Sequence, residues 1–245
     1  MGVKIITDST SDIPESIISD LDIEVVPLNI HIGQDNFKHG VDIGTDEFYT
    51  KLLTGSELPK TSQPSPGEFL DVYNKFLDQS DAIVSIHVTS KLSGTYNSAI
   101  QAKSELNVTK PIEVVDSATV SMALGLIVIR AAKIAKDGGT LEEVLKEIEH
   151  CSSNTEVLVV LDTLEYLEKG GRIGKASALI GSILSLKPIL TVEDGIVGTF
   201  GKARTFTKAM NSLEEAIKGF TPVSDAAVFY STDKGVADDM IDRLS

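Results

Sequence analysis

The sequence predicts an α/β protein of two domains, an N-terminal one built on a mostly parallel sheet flanked by helices and a smaller C-terminal α/β one. Three observations lead there. Short apolar runs rich in β-branched residues recur at 3–7, 23–30, 82–88, 112–115 and 157–161, as expected of strands buried on both faces. Segments with helical spacing of apolar residues separate most of them, and that alternation favours parallel strands with crossover helices. From about Asp162 the rhythm changes, which divides the 245 residues into 1–160 and 161–245.

The elements follow in order. A helix over 14–20 opens on Pro14, with Asp12 or Ser11 as its cap. Gly33-Gln34-Asp35-Asn36 reads as a hairpin tip, which makes residues 24–39 an antiparallel excursion. Helices are predicted over 46–53, 66–78, 98–106, 119–136 and 141–150, the second of them capped by Ser65 and preceded by prolines that hold their neighbours extended. The most apolar stretch, 118–129, contains Ser121 and stops at Arg130. It is shorter than the roughly 20 residues of a membrane span and reads as a buried helix.

In the second part, 164–168 ends at Gly170-Gly171, the signature of a helix C-cap. A small-residue helical pattern covers 175–183. Residues 188–192 and 196–200, joined by Asp194-Gly195, read as a hairpin, followed by a helix to Gly219, a strand over 226–230 and a last helix without a stop signal before Ser245.

Composition excludes several functions. With 22 Lys and Arg against 36 Asp and Glu, the net charge is −14, and the pI is about 4.7. Nucleic acid and anionic membrane surfaces are therefore not expected as main partners. No secretory signal pattern is present, and Cys151 is the single cysteine, so the cytoplasm is the expected compartment. His31, His39, His87 and His150 lack metal-ligand spacing, and there is no P-loop, dinucleotide fingerprint or G-x-S-x-G elbow. No metal or cofactor is expected. His87, inside an apolar strand, reads as a hydrogen-bonded core residue.

Candidate binding residues gather where strands end. The run 85–96, Ser-Ile-His-Val-Thr-Ser-Lys-Leu-Ser-Gly-Thr-Tyr, carries a strand through a hydroxyl-rich turn into a helix. At such a turn unpaired N–H groups and the helix dipole favour an anion, and Gly94 allows close approach. Ser93 or Thr95 could equally be an ordinary helix cap. A second hydroxyl loop, Lys60-Thr61-Ser62-Gln63-Pro64-Ser65-Pro66-Gly67, could converge with the first or serve as a rigid connector. Asp8 and Ser9 after the first strand, with Asp116 and Ser117 after a later one, form a candidate polar floor to a cleft. Arg172 follows a helix end, where a cation complements the dipole, and Arg204 follows the hairpin.

Taken together, the segments 7–12 (Thr-Asp-Ser-Thr-Ser-Asp), 61–67, 93–96, Asp116-Ser117 and 164–173 (Leu-Glu-Tyr-Leu-Glu-Lys-Gly-Gly-Arg-Ile), in that order, resemble the DegV family of bacterial lipid-binding proteins. That family includes the fatty-acid-binding subunits of fatty acid kinase. The resemblance implies a long-chain fatty acid such as palmitate held between two domains, its carboxylate bound by Thr61 and Ser93 with Ser62 and the Gly94 N–H as neighbours. It also implies a protein that presents the acid to a separate kinase rather than acting as a catalyst. Arg172 and Arg204 would then contact that partner or position the head group. The family continues beyond the equivalent of Ser245 with a further strand and a His/Gly/Pro-containing motif, which implies a truncated second domain. Two other classes use the same residues: an enzyme, either a serine-dependent acyl hydrolase or a kinase-like phosphotransferase using the same anion-binding turns, and a binding module for another small carboxylate.

Overall fold

The computed structural model describes residues 2–220 and 222–244, and the chain divides into two compact units, Met1–Thr155 and Glu156–Ser245.

The first unit contains β1 (Val3–Asp8), α1 (Glu15–Asp20), β2 (Glu24–Val26), β3 (Asn29–Ile32), β4 (Asp35–Lys38), α2 (Thr45–Thr54), β5 (Lys60–Ser62), α3 (Pro66–Leu77), β6 (Ala82–His87), α4 (Thr95–Glu105), β7 (Ile112–Asp116), α5 (Ser121–Lys136) and α6 (Leu141–Asn154). Four strands form a parallel sheet in the order β2-β1-β6-β7. Successive side chains of a strand point to opposite faces, and the two cores follow from that. Ile5, Val84 and Ile86 pack with Leu124, Ile127 and Val128 of α5 and with Val144 and Ile148 of α6. Ile6 and Ile83 pack on the other face with Phe69 and Tyr73 of α3 and with Ala99 and Ala102 of α4. The unit is thus a three-layer α/β/α sandwich, the predicted fold class. Gly125 is what lets α5 lie so close to the chain after β1, since a Cβ there would stand 2.5 Å from the Ser11 carbonyl oxygen.

The apolar run 23–30 is not one strand. Pro27, which has no N–H to give a ladder, separates β2 from β3, and β3 joins an antiparallel sheet ordered β4-β3-β5. Gly33-Gln34 forms the predicted hairpin tip between β3 and β4, and Gly33 adopts φ +60°. β5 of this small sheet carries Thr61 and Ser62, two of the candidate binding residues.

The second unit contains β8 (Leu158–Val160), α7 (Glu165–Lys169), β9 (Lys187–Glu193), β10 (Ile196–Ala203), α8 (Phe206–Gly219) and α9 (Lys234–Leu244). Its antiparallel sheet has the order β10-β9-β8. The apolar side of α8, with Met210 and Leu213, packs with Met240 of α9 and with Leu158 and Val160 of β8. The predicted hairpin and the glycine stop after α7 are present, with Gly171 at φ +72°. Two expectations change. The small-residue stretch forms a 3-10 helix over Gly174–Ser185 instead of an α-helix, and Gly174 sits against the Val197 carbonyl, where a Cβ would be 2.5 Å away. Residues 226–230, rich in strand formers, find no strand to pair with among the described residues and stay outside the sheet. β-propensity expresses a fit to a neighbouring strand and does not act alone.

Candidate functional site

In the parallel sheet the chain leaves β1 toward β2 on one side and returns to β6 on the other. Crevices at the carboxyl ends of such neighbours are where open α/β sheets bind ligands. Asp8 closes β1 at that point and is fully buried. Its Oδ2 accepts from the Val88 N–H at 3.1 Å and from His87 Nδ1 at 3.0 Å, while Oδ1 accepts from the Thr10 N–H at 3.0 Å. Burial alone would raise the Asp8 pKa, yet the interactions with His87, Thr10 and Val88 hold it below the usual carboxylate value. Behind His87 the chain of bonds continues: its Nε2 lies 2.6 Å from Ser85 Oγ, which accepts from Tyr73 OH at 3.0 Å.

A serine, a histidine and an aspartate in sequence invite comparison with a hydrolytic triad, but Ser85, His87 and Asp8 are all closed to solvent. Ser85 is already bonded on both sides, so this is a buried polar brace, as expected of His87. It ties β1 to β6 across the switch point. Sequence spacing could not reveal the link, because Asp8 and His87 are 79 residues apart.

The other floor residues are also engaged in holding loops. Ser9 Oγ accepts from the Leu28 N–H at 3.0 Å and lies 2.9 Å from His39 Nδ1. Asp116 accepts from the Ser90 N–H at 3.1 Å and the Ala118 N–H at 3.0 Å, which fastens the turn after β6 to the end of β7. Ser117 bonds across its own turn to Thr119. Neither Ser11 nor Asp12 caps α1; Pro14 stands at that N-cap without a side-chain bond, and Asp8 caps the short 3-10 turn Ser9–Ser11 instead. Asp12 has φ +53° and accepts from Ser121 Oγ at 2.7 Å. Burial pushes its carboxyl up to about 6, against the Ser121 hydrogen bond and with the charge of Asp8.

Thr61 and Ser62 sit on β5, opposite Ile30 and Asn29. Neighbouring strand residues face opposite ways, and their hydroxyls differ accordingly. Ser62 Oγ is 2.9 Å from His31 Nε2, whose Nδ1 in turn bonds Asn36. The exposed Thr61 hydroxyl has no protein partner among the described residues. On the second loop, Ser93 Oγ accepts from the Thr95 N–H at 3.3 Å and lies 2.9 Å from Thr95 Oγ1. Gly94 is the N-cap of α4 and brings no side-chain cap, so neither Ser93 nor Thr95 fills the ordinary capping role. Ser65, by contrast, caps α3 in a full capping box with Glu68, as predicted.

The two loops meet. Gln63, directly after Ser62, lays its side chain over Gly94, with Nε2 2.8 Å from where a Gly94 Cβ would stand. Nothing in the sequence pattern singled out Gln63, because its role is set by a contact between residues 31 apart.

Arg172 and Arg204 are exposed in the second unit. Arg172 follows α7, its N–H donating to the Leu167 carbonyl at 2.9 Å and its guanidinium bonding the Gly170 carbonyl, the helix-end role foreseen for it. Among the described residues, no group of three or more His, Cys, Asp and Glu side chains could hold a metal ion, and no helix is long and apolar enough to cross a membrane.

Comparison with known proteins gives a consistent result. The model of the DegV family, a family of uncharacterised proteins, matches residues 2–245. A DegV domain-containing protein of Caldanaerobacter subterraneus is 40% identical over 216 residues, which are 88% of this chain and 76% of that protein. The crystal structure of DegV from Bacillus subtilis, a fatty acid binding protein, superposes with a TM-score of 0.90 at 30% identity, covering 100% of this chain and 88% of that one. A stearic-acid-binding protein of Eubacterium ventriosum superposes with a TM-score of 0.82 at 32% identity, covering 89% and 76%.

Proposed function

The chain belongs to the DegV family, and on that premise we propose that it binds a long-chain fatty acid such as palmitate, with the carboxylate held by Thr61 and Ser93. The observation that carries this is the meeting of the two hydroxyl loops at Gly94, where Gln63, two residues after the unpartnered Thr61, lies over a helix start without a side-chain cap. Solved relatives are themselves fatty-acid binders. Ser62, committed to His31, supports the loop from the other face of β5. Asp8, Ser9, Asp116 and Ser117 hold the turns that present the donors.

The protein is a cytoplasmic binder and not the catalyst. A separate kinase phosphorylates the bound acid to an acyl phosphate that feeds lipid metabolism, and Arg172 and Arg204 serve contact with that partner or position the head group. This last assignment rests on the family resemblance of the segments around them. No metal or cofactor enters the role.

Tail and head contribute differently. Burying a tail of about 16 carbons at about 0.8 kcal/mol per CH₂ gives a gross gain on the order of 12 kcal/mol before ordering costs. A hydrogen bond to a charged group contributes about 1.5–3 kcal/mol. The tail therefore dominates affinity, and the hydroxyls orient the head and keep its charge satisfied.

Extraction of ligand from gently purified protein, followed by mass spectrometry, tests the proposal: a long-chain fatty acid near one per chain is expected, and a short polar acid in its place overturns it. Ser93→Ala is expected to weaken palmitate binding by about tenfold while reducing acyl phosphate formation with the cognate kinase more severely. Undiminished turnover would remove Ser93 from the role. Charge reversal at Arg172 and Arg204 is expected to leave palmitate affinity intact and weaken kinase association; equal loss of both would refute the split.

A further inference from the structure

Gln63 occupies a point where both hydroxyl loops touch, and its side chain makes no hydrogen bond to either loop among the described residues. Its main-chain carbonyl accepts from Asn29 Nδ2 at 3.5 Å, which ties the loop to β3. The carboxamide itself is exposed and makes no hydrogen bond to protein among the described residues. It nevertheless lies against Gly94, its Nε2 2.8 Å and its Cδ 3.0 Å from the position of a Cβ on that glycine. Holding a long polar side chain over a backbone costs conformational entropy, and no internal bond offsets that cost.

Counting donors shows what the carboxamide is for. An ionised carboxylate only accepts, and its two oxygens offer about four lone-pair positions. The Thr61 hydroxyl, the Ser93 hydroxyl and the Gly94 N–H supply three donors, and the Gln63 NH₂ group lies beside the last of these. We infer that Gln63 is a fourth, neutral donor to the head group and the residue that sets a preference for a carboxylate over an uncharged head such as a methyl ester, an inference that rests on the site assignment under Proposed function. The glycine belongs to the same device. Gly94 has φ −80° and ψ 2°, values open to any residue, so the backbone does not require glycine. What a methyl group would disturb is the movable end of Gln63, not the main chain.

The test measures palmitate and methyl palmitate affinity on the full chain with the variants Gln63→Ala, Gln63→Glu, Gly94→Ala and the Gln63→Ala/Gly94→Ala double. Gln63→Ala is expected to weaken palmitate by about tenfold and methyl palmitate little, and Gln63→Glu to weaken palmitate by about a hundredfold, because a second negative charge faces the first. Gly94→Ala, by displacing the carboxamide, should match Gln63→Ala, and the double variant should be no weaker than either single one. Wild-type palmitate affinity in Gln63→Ala, equal losses for the acid and its ester, or multiplicative losses in the double variant would each overturn the inference. Those results fall on Gln63 alone when Thr61→Ala and Ser93→Ala weaken binding; if both of these bind palmitate like the wild type, the site assignment fails and the inference falls with it.

Discussion

Replacing Asp8 by Ala is expected to destabilise the first unit by about 3–5 kcal/mol, the cost of breaking a buried charged network by removing one partner. Four groups lose their acceptor at once: the Val88 N–H, His87 Nδ1, and the N–H and hydroxyl of Thr10. His87 closes β6 and Val88 begins the turn that leads from it toward Ser93, so the loss also loosens that turn. Urea unfolding followed by circular dichroism measures it, and a change below about 1 kcal/mol would mean that the brace is not stabilising. The pH dependence supplies a second check. The folded Asp8 pKa lies below its unfolded value, so its contribution is present above the unfolded value and is lost as pH falls through the folded one. The Ala variant should lack that component of acid destabilisation.

Asp12→Asn is expected to do the reverse and stabilise the protein near neutral pH. The Asp12 carboxyl is raised from 3.8 to about 6. A raised folded pKa means that the stabilising contribution is full below the unfolded value and disappears as pH rises through the folded one, here between about 4 and 6. The shift corresponds to about 3 kcal/mol lost by pH 7. Asparagine removes the charge, keeps an oxygen to accept from Ser121 Oγ, and is among the residues best suited to φ +53°. Thermal unfolding from pH 4 to pH 8 should show wild type and variant alike at the acid end and diverging above it. Parallel curves would show that Asp12 carries no such penalty.

How much of this was legible in the sequence depended on the range of the interaction. β1, β6 and β7 announced themselves because strands buried on both faces must be continuously apolar, and α3 because its cap, Ser65, lies next to it in sequence. The 23–30 run hid a change of sheet at Pro27, and 226–230 carried strand composition without a neighbour to pair with. Within the site, the hydroxyl loops and the residues of the floor were visible as motifs. The partners that give them work were not: Asp8 with His87, Ser9 with His39, Asp12 with Ser121 and Gln63 with Gly94 are juxtapositions made by the fold, and no local pattern encodes them.

The bare start of α4 has one more consequence. α3, α6 and α8 each begin with a serine or threonine that satisfies their first-turn amides, whereas α4 begins with a glycine that cannot, and the Tyr96 and Asn97 amides have no protein acceptor among the described residues. A carboxylate bound there would act as the missing cap. Loading of the lipid and firmness of that helix would then be two sides of a single equilibrium, each favouring the other to the same degree.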